Sequence, residues 1–216
     1  MKEKSLQEYG QYFQTDKHDE HHRYLDTYEM YLKPLKDKPV NLLEIGVRDG
    51  CSHRMWDAYF AHPDSRIFGI DIDPRCVASA TNRIDVTIGS QADSEVVQKT
   101  IDKCNGGFDV IIDDGSHVNE LTVKSFQLLY DSLKPSGYYI IEDLGCSYLE
   151  EELEHHINIG GWPGMRYNKN VHMVNRRKDL DKFFLDLIRD IDLNPNIFAD
   201  FIHFYSKIAV IKKPSK

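Results

Sequence analysis

The chain has 216 residues, 27 of them basic and 35 acidic, for a formal net charge of −8. Its 41% hydrophobic and 11% aromatic content is too high for a disordered chain, and the length suits one domain rather than two. The acidic balance argues against a nucleic-acid polymer or an anionic membrane as partner, because nothing would offset phosphate repulsion, while a cation or a cationic ligand stays open.

Met1-Lys2-Glu3-Lys4-Ser5 leads into polar residues rather than an apolar run, so no signal peptide is expected. No apolar stretch approaches the roughly 20 residues of a membrane span, and a cytoplasmic protein is the default expectation. Cys51, Cys76, Cys104 and Cys146 stand far apart without a C-x-x-C pair, which reads as reduced thiols.

Residues 1–36 form a helical N-terminal extension. Thr15-Asp16-Lys17-His18 reads as a loop, and Tyr24, Tyr28, Tyr31, Leu32 and Leu35 recur at helical spacing up to Pro34 or Pro39. The aromatics of residues 9–31 have the look of an exposed surface and make a homo-oligomer plausible. Residues 37–144 alternate strand and helix. Val40–Gly46, Arg66–Asp71, Val86–Ile88, Phe108–Asp114 and Gly137–Asp143 read as strands. Helices are expected over Ser52–Phe60, over Ser94–Cys104 with Ser94 as cap, and over Leu121–Leu133. This alternation predicts an α/β fold with a mostly parallel sheet. Residues 145–199 differ in character: an acidic stretch from Leu149 to Ile157, a turn cluster Gly160-Gly161-Trp162-Pro163-Gly164, a basic stretch from Arg166 to Lys182, and an amphipathic helix over Leu180–Ile191. Residues 200–213 read as a C-terminal hairpin.

Ligands of open α/β sheets bind outside the carboxyl ends of the strands. Four predicted strands end in acid here: Glu44, Asp71, Asp113-Asp114 and Glu142-Asp143. In Glu44-x-Gly46-x-x-x-Gly50, Arg48 stands where a dinucleotide fingerprint needs its second glycine, which disfavours a nicotinamide cofactor. Asp71 suits a ribose diol. Adjacent strands would gather Asp114, Glu142 and Asp143, and three carboxylates in one cleft repel unless some protonate or a cation joins them. Oxygen-only ligands favour a hard ion such as magnesium. His117, three residues past Asp114, could sit beside that ion as a general base. His18, His21, His22, His53, His62, His155, His156 and His172 read as surface or satisfied core.

Those residues carry a resemblance. Thr15-Asp16-Lys17 with His22-x-Tyr24 and Tyr28-Glu29, Leu43-Glu44-Ile45-Gly46-Val47, Gly69-Ile70-Asp71-Ile72-Asp73, Gly89-Ser90-Gln91-Ala92-Asp93, Ile112-Asp113-Asp114-Gly115-Ser116-His117, Ile141-Glu142-Asp143-Leu144 and His203-Phe204-Tyr205 resemble the S-adenosylmethionine-dependent, magnesium-dependent sugar O-methyltransferases of macrolide biosynthesis and the wider cephalosporin hydroxylase-like group. The resemblance covers most of residues 12–148 and the final hairpin. It implies a Rossmann-like class I methyltransferase: one domain, a seven-stranded mostly parallel sheet with a C-terminal antiparallel hairpin, and a lid insertion at 145–199 that shapes the acceptor site. It implies that Glu44, Gly46 and Ser52 line the amino-acid end of S-adenosylmethionine, that Asp71 holds its ribose, that Gln91 lies near the adenine and Asp113 under the methionine part, and that Thr15 and Tyr24 cover the cofactor. Asp114, Glu142 and Asp143 would hold magnesium, which would chelate two neighbouring hydroxyls of a sugar or glycoside, and His117 would be the base. A catechol-type acceptor, which also chelates magnesium through two oxygens, and a cofactor-binding partner protein without transferase activity are the alternatives.

Residues 109–154 hold 11 acidic and 2 basic residues. The negative charge is therefore concentrated at two strand ends and the stretch behind them. The basic stretch Arg166–Lys182 reads either as a solvated helix face or as a lid for an anionic acceptor.

Overall fold

A computed structural model describes residues 4–148, 175, 177–194 and 198–216. Five strands run in parallel: β1 (Asn41–Ile45), β2 (Arg66–Asp71), β3 (Ile84–Ile88), β4 (Phe108–Asp113) and β5 (Leu133–Ile141). β7 (Ile208–Lys212) pairs antiparallel with β5 and with β6 (Phe201–Tyr205), which closes the sheet as β3-β2-β1-β4-β5-β7-β6. The order reverses between β1 and β4, so the cleft of a doubly wound sheet opens at their carboxyl ends.

The central strands are apolar on both faces because helices cover both. Leu42, Val110 and Ile112 face one core with α1 (Leu6–Phe13), α2 (Leu25–Leu32) and α3 (Cys51–Tyr59); Leu43 and Ile111 face the other with α4 (Ser94–Cys104), α5 (Asn119–Leu129) and α6 (Arg177–Leu193). A short 3-10 turn, Lys33–Leu35, ends α2 where Pro34 breaks the ladder.

Several expectations are corrected. Asp93, not Ser94, caps α4, its carboxylate accepting the Glu95 N–H at 2.8 Å. β5 begins at Leu133, four residues before the expected Gly137; the added residues, Pro135 among them, lie where the pairing with β4 shifts register between Phe108 and Val110, the kind of irregularity that tolerates proline within a strand. α5 runs from Asn119 to Leu129 and a 3-10 turn, Tyr130–Ser132, follows it. α1, capped by a reciprocal Ser5–Glu8 pair, falls within the expected helical N-terminal extension, where the sequence reading gave it no bounds of its own. The aromatics of residues 9–31 are mostly core: Tyr24 and Tyr28 are buried and Tyr9, Phe13 and Tyr31 pack against the same apolar cluster, leaving Tyr12 exposed. The expected acidic stretch, the turn cluster and most of the basic stretch lie outside the described residues. Among the described residues no helix is long and apolar enough to cross a membrane.

Candidate active site

The acid-bearing strand ends meet. Glu44 is in β1, Asp114 follows β4, and Glu142 and Asp143 follow β5. Gly46 lets the first two approach: its φ is +92°, and a Cβ there would lie 2.1 Å from the Asp114 carbonyl oxygen, so no side chain fits.

A lysine sits among them. Lys17, in the loop after α1, is 1% exposed. Its Nζ lies 2.5 Å from Asp114 Oδ2, 2.8 Å from both Glu142 oxygens and 3.1 Å from Glu44 Oε1. Burial alone would lower its pKa, but the Asp114, Glu142 and Glu44 charges outweigh that and hold it well above the usual lysine value. Burial and the Asp114 charge push Glu142 up, with Lys17 opposing them. The Tyr28 hydroxyl also donates to Glu142. Glu44 accepts the Ser52 hydroxyl at 2.7 Å and the Trp56 indole N–H at 3.2 Å on Oε2, beside His53 Nδ1 at 3.2 Å.

Asp143 faces a different set. Its Oδ1 accepts the Tyr24 hydroxyl and lies 3.4 Å from His22 Nδ1; its Oδ2 lies 3.6 Å from His117 Nε2. Burial would raise Asp143, but the His22 contact, the His117 charge and the Tyr24 hydroxyl hold it well below the usual carboxylate range. The same contact raises His22. His117 Nε2 is also 4.0 Å from Asp114 Oδ1. His117 and Asp143 both have left-handed backbones, with φ of 54° and 53°, a conformation His and Asp tolerate better than most residues. Buried Asn175 donates to the His117 carbonyl at 2.9 Å and the Cys146 carbonyl at 3.0 Å, and so ties the two acid loops together.

The predicted metal set is thus gathered but divided. Two groups of side chains have ligand atoms within 4.8 Å of one another: Asp114–His117–Asp143, half-buried, and Glu44–Asp114–Glu142, mostly buried. Asp114 belongs to both, whereas Glu142 and Asp143 fall in different groups.

The predicted cofactor residues line the neighbouring strand ends. Asp71 Oδ2 accepts the Val47 and Arg48 N–H groups at 2.8 and 2.9 Å, and Oδ1 accepts that of Asp73 at 2.8 Å. Gln91 is buried, donating to Asp113 at 3.1 Å and accepting the Ser116 N–H at 2.9 Å. Asp113 also accepts the Ser125 hydroxyl, and burial pushes its carboxyl up to about 6. Thr15 is buried at the end of α1, its N–H on the Gly10 carbonyl at 3.2 Å.

Sequence reasoning placed Lys17 and His22 within a motif but gave neither a role, and His22 was read as surface or core. Their only signal was their position beside Thr15 and Tyr24.

The chain is 29% identical over 209 residues to mycinamicin VI 2''-O-methyltransferase of Micromonospora griseorubida, covering 89% of this chain and 48% of that protein. It is 35% identical over 144 residues to L-olivosyl-oleandolide 3-O-methyltransferase of Streptomyces antibioticus, covering 63% of this chain and 36% of the relative. Both relatives are O-methyltransferases, and the chain is similar to each over part of its length. It spans between a third and a half of the length of these curated homologues. No family model matches the chain. Among solved structures, the mycinamicin-pathway methyltransferase MycE in complex with Mg, SAH and mycinamycin VI superposes with a TM-score of 0.76 at 26% identity, over 100% of this chain and 56% of that one. An O-methyltransferase from Bacillus cereus, at 19% identity and a TM-score of 0.55, shares the fold. The strand order and the antiparallel C-terminal pair are those of this methyltransferase architecture.

Proposed function

We propose that this chain transfers a methyl group from S-adenosylmethionine to a hydroxyl of a sugar or glycosylated small molecule, with magnesium at the acid cluster. The observation that carries the reading is the half-buried group Asp114–His117–Asp143 at the strand ends. Its homologues are sugar O-methyltransferases, one of them solved with Mg, SAH and a glycosylated macrolide.

The residues fit a hard divalent ion. Asp114 and Asp143 offer carboxylate oxygens with an imidazole beside them, and magnesium takes one or two carboxylates and fills its other positions with water or substrate. Glu142, the third predicted ligand, stands behind them, held by Lys17 and Tyr28. When bound, S-adenosylmethionine supplies an electrophilic methyl group and magnesium makes a neighbouring hydroxyl more acidic.

His117 is the proton acceptor in this reading. The tautomer with Nε2 unprotonated can take the hydroxyl proton as the oxygen attacks the methyl carbon. Asp143 Oδ2 at 3.6 Å then stabilises the imidazolium. On the cofactor side Asp71 already accepts three backbone N–H groups, so about one of its four acceptor positions is left for a ribose hydroxyl. Glu44, Gly46 and Ser52 shape the cofactor's amino-acid end, Gln91 and Asp113 the floor beside it, and Thr15 and Tyr24 the cover. The strand ends supply alignment of donor and acceptor, worth several kcal/mol of the barrier.

The test is purified protein with S-adenosylmethionine and a panel of glycosides, with methylated product read by mass spectrometry. Turnover should vanish in EDTA and return with magnesium. His117→Ala should lower kcat about 100- to 10,000-fold. Full activity in EDTA, or in His117→Ala, overturns the mechanism.

A further inference from the structure

The proposed base stands on a backbone that needs outside support. His117 and Asp143 are both left-handed, with φ of 54° and 53°, and residues other than glycine stay in that region only where their surroundings over-determine it. They belong to different loops, one after β4 and one after β5. Yet His117 Nε2 must stay 3.6 Å from Asp143 Oδ2. One loop has to be fixed against the other.

A single amide spans the two. Asn175 is 4% exposed. Its Nδ2 donates to the His117 carbonyl at 2.9 Å and to the Cys146 carbonyl at 3.0 Å, while its Oδ1 accepts the N–H of Asn119, the first residue of α5, at 3.0 Å. Carbonyls only accept and a backbone N–H only donates, so the amide has one workable orientation. Cys146 ends the turn that Asp143 opens, its N–H donating to the Asp143 carbonyl at 2.8 Å. The same NH2 group therefore clamps His117 at its own carbonyl and Asp143 through its turn. Neighbouring contacts repeat the grip. Arg177 donates to the Ser147 hydroxyl at 2.6 Å and lies over the Tyr148 ring at 4.3 Å, and Asn119 Nδ2 donates to the Ser147 carbonyl at 3.4 Å. The brace needs two donors and an acceptor on one short side chain. An aspartate lacks the donors and an alanine lacks all three.

We propose that Asn175 is the positioning residue of the base: by holding both carbonyls on one amide nitrogen, it keeps His117 against Asp143 in the geometry that receives the acceptor's proton. This rests on the methyl-transfer reading above and deepens it. The amide hydrogen-bonds only backbone groups, so its effect on the reaction passes through His117.

The experiment is steady-state kinetics on a glycoside that wild type methylates, beside calorimetric titration with S-adenosylhomocysteine. Asn175→Asp keeps the shape of the side chain and the acceptor for Asn119 but, ionised, donates to neither carbonyl. Its kcat should fall about 100-fold, the cost of misplacing a reacting group by about 1 Å, with S-adenosylhomocysteine affinity within threefold of wild type. Placed in His117→Ala, the same substitution should lower kcat less than twofold further, because its partner is already gone. A kcat within threefold of wild type in Asn175→Asp overturns the proposal and leaves the methyl-transfer reading intact. An undiminished further loss in the His117→Ala background, or a parallel loss of S-adenosylhomocysteine affinity, also overturns it, because either marks a general structural role. If Asn175→Asp fails to fold, Asn175→Ala, which removes both donors without adding charge, is read by the same criteria. No turnover in wild type, or full activity in His117→Ala, removes the reading beneath the proposal and the proposal with it.

Discussion

The inner and outer halves of the acid cluster share Asp114 and handle charge in opposite ways. The inner acids, Glu44 and Glu142, have side chains 0% and 2% exposed, and Lys17 is 1% exposed. Each is held by groups from several elements. The outer pair, Asp143 and His117, is 17% and 13% exposed on left-handed backbones. Buried charge is tolerated only when it is paired and hydrogen-bonded; in the inner half Lys17, Tyr28, Ser52 and Trp56 serve every oxygen of Glu44 and Glu142 except Glu44 Oε1, which has its ion pair with Lys17 and no hydrogen bond. The outer half retains access and donor capacity. The inner half therefore ties the strand ends together, and the outer half is the side of the cluster that stays open.

The largest effect should come from breaking the outer half. Asp143→Asn removes a carboxylate facing both histidines, and Mn2+ affinity should fall at least about 100-fold, more than the usual loss for a supporting residue. Titration of the apo protein with Mn2+, followed by electron paramagnetic resonance, measures it; unchanged affinity would mean the ion does not use the outer half. Breaking the inner half should instead appear as instability. Lys17→Met leaves Glu44, Asp114 and Glu142 without their ammonium, and unfolding free energy in EDTA should fall by about 3–5 kcal/mol, read by urea denaturation. A loss below about 1 kcal/mol would show that the inner acids do not need their cation.

The two halves were unequally legible in the sequence. The strand ends were readable because short apolar runs ending in acid have one simple reading in an α/β chain, and Arg66–Asp71 was placed to the residue. Asp114, Asp143 and His117 followed from those ends. Lys17 did not. A lysine in a polar segment between Asp16 and His18 reads as solvent-exposed, and its burial depends on three acids up to 125 residues away. No local periodicity encodes that convergence. His22, read as surface or satisfied core, is half-buried beside a carboxylate, and that contact with Asp143 is created by the path of the N-terminal segment, not by its neighbours in the chain. β5 was read short because Lys134-Pro135-Ser136 carries no strand pattern locally and joins the strand only where the pairing with β4 shifts.

Asp113 sharpens the comparison as a buried carboxylate that makes no ion pair among the described residues. It is 2% exposed, and burial pushes it up to about 6, against about 4 in an unfolded chain. The folded state therefore takes up its proton at higher pH than the unfolded state. Below about pH 4 both forms are protonated and Asp113 contributes nothing to the pH dependence. As pH rises from about 4 through 6 the folded state loses stability, and a penalty of about 3 kcal/mol persists above that. In EDTA, Asp113→Asn should gain that amount relative to wild type between pH 4 and pH 7, on top of any constant offset from altered hydrogen bonds. Urea midpoints across that range test it. A difference that stays flat with pH would mean that Ser125 and Gln91 serve this carboxylate as fully as Lys17 serves the inner pair.

The smallest expected effect tests whether the N-terminal segment belongs to the outer half as well as the inner. His22 reaches Asp143 Oδ1 at 3.4 Å while His117 approaches Oδ2 at 3.6 Å, so the two rings flank one carboxylate. Asp143 keeps its charge partly through His22, and His22 is raised by the same contact. His22→Asn removes a partner that orients the carboxylate without removing the carboxylate. Mn2+ affinity should weaken about 10- to 100-fold, the usual cost of losing a group that orients a ligand. Stability should change little, since His22 is half-buried and Tyr24 still donates to Asp143. An unchanged affinity would confine the N-terminal segment's role to Lys17, Tyr24 and Tyr28. A weakened one would make that segment a wall of both halves, with Lys17 pairing the acids of one and His22 aligning the other.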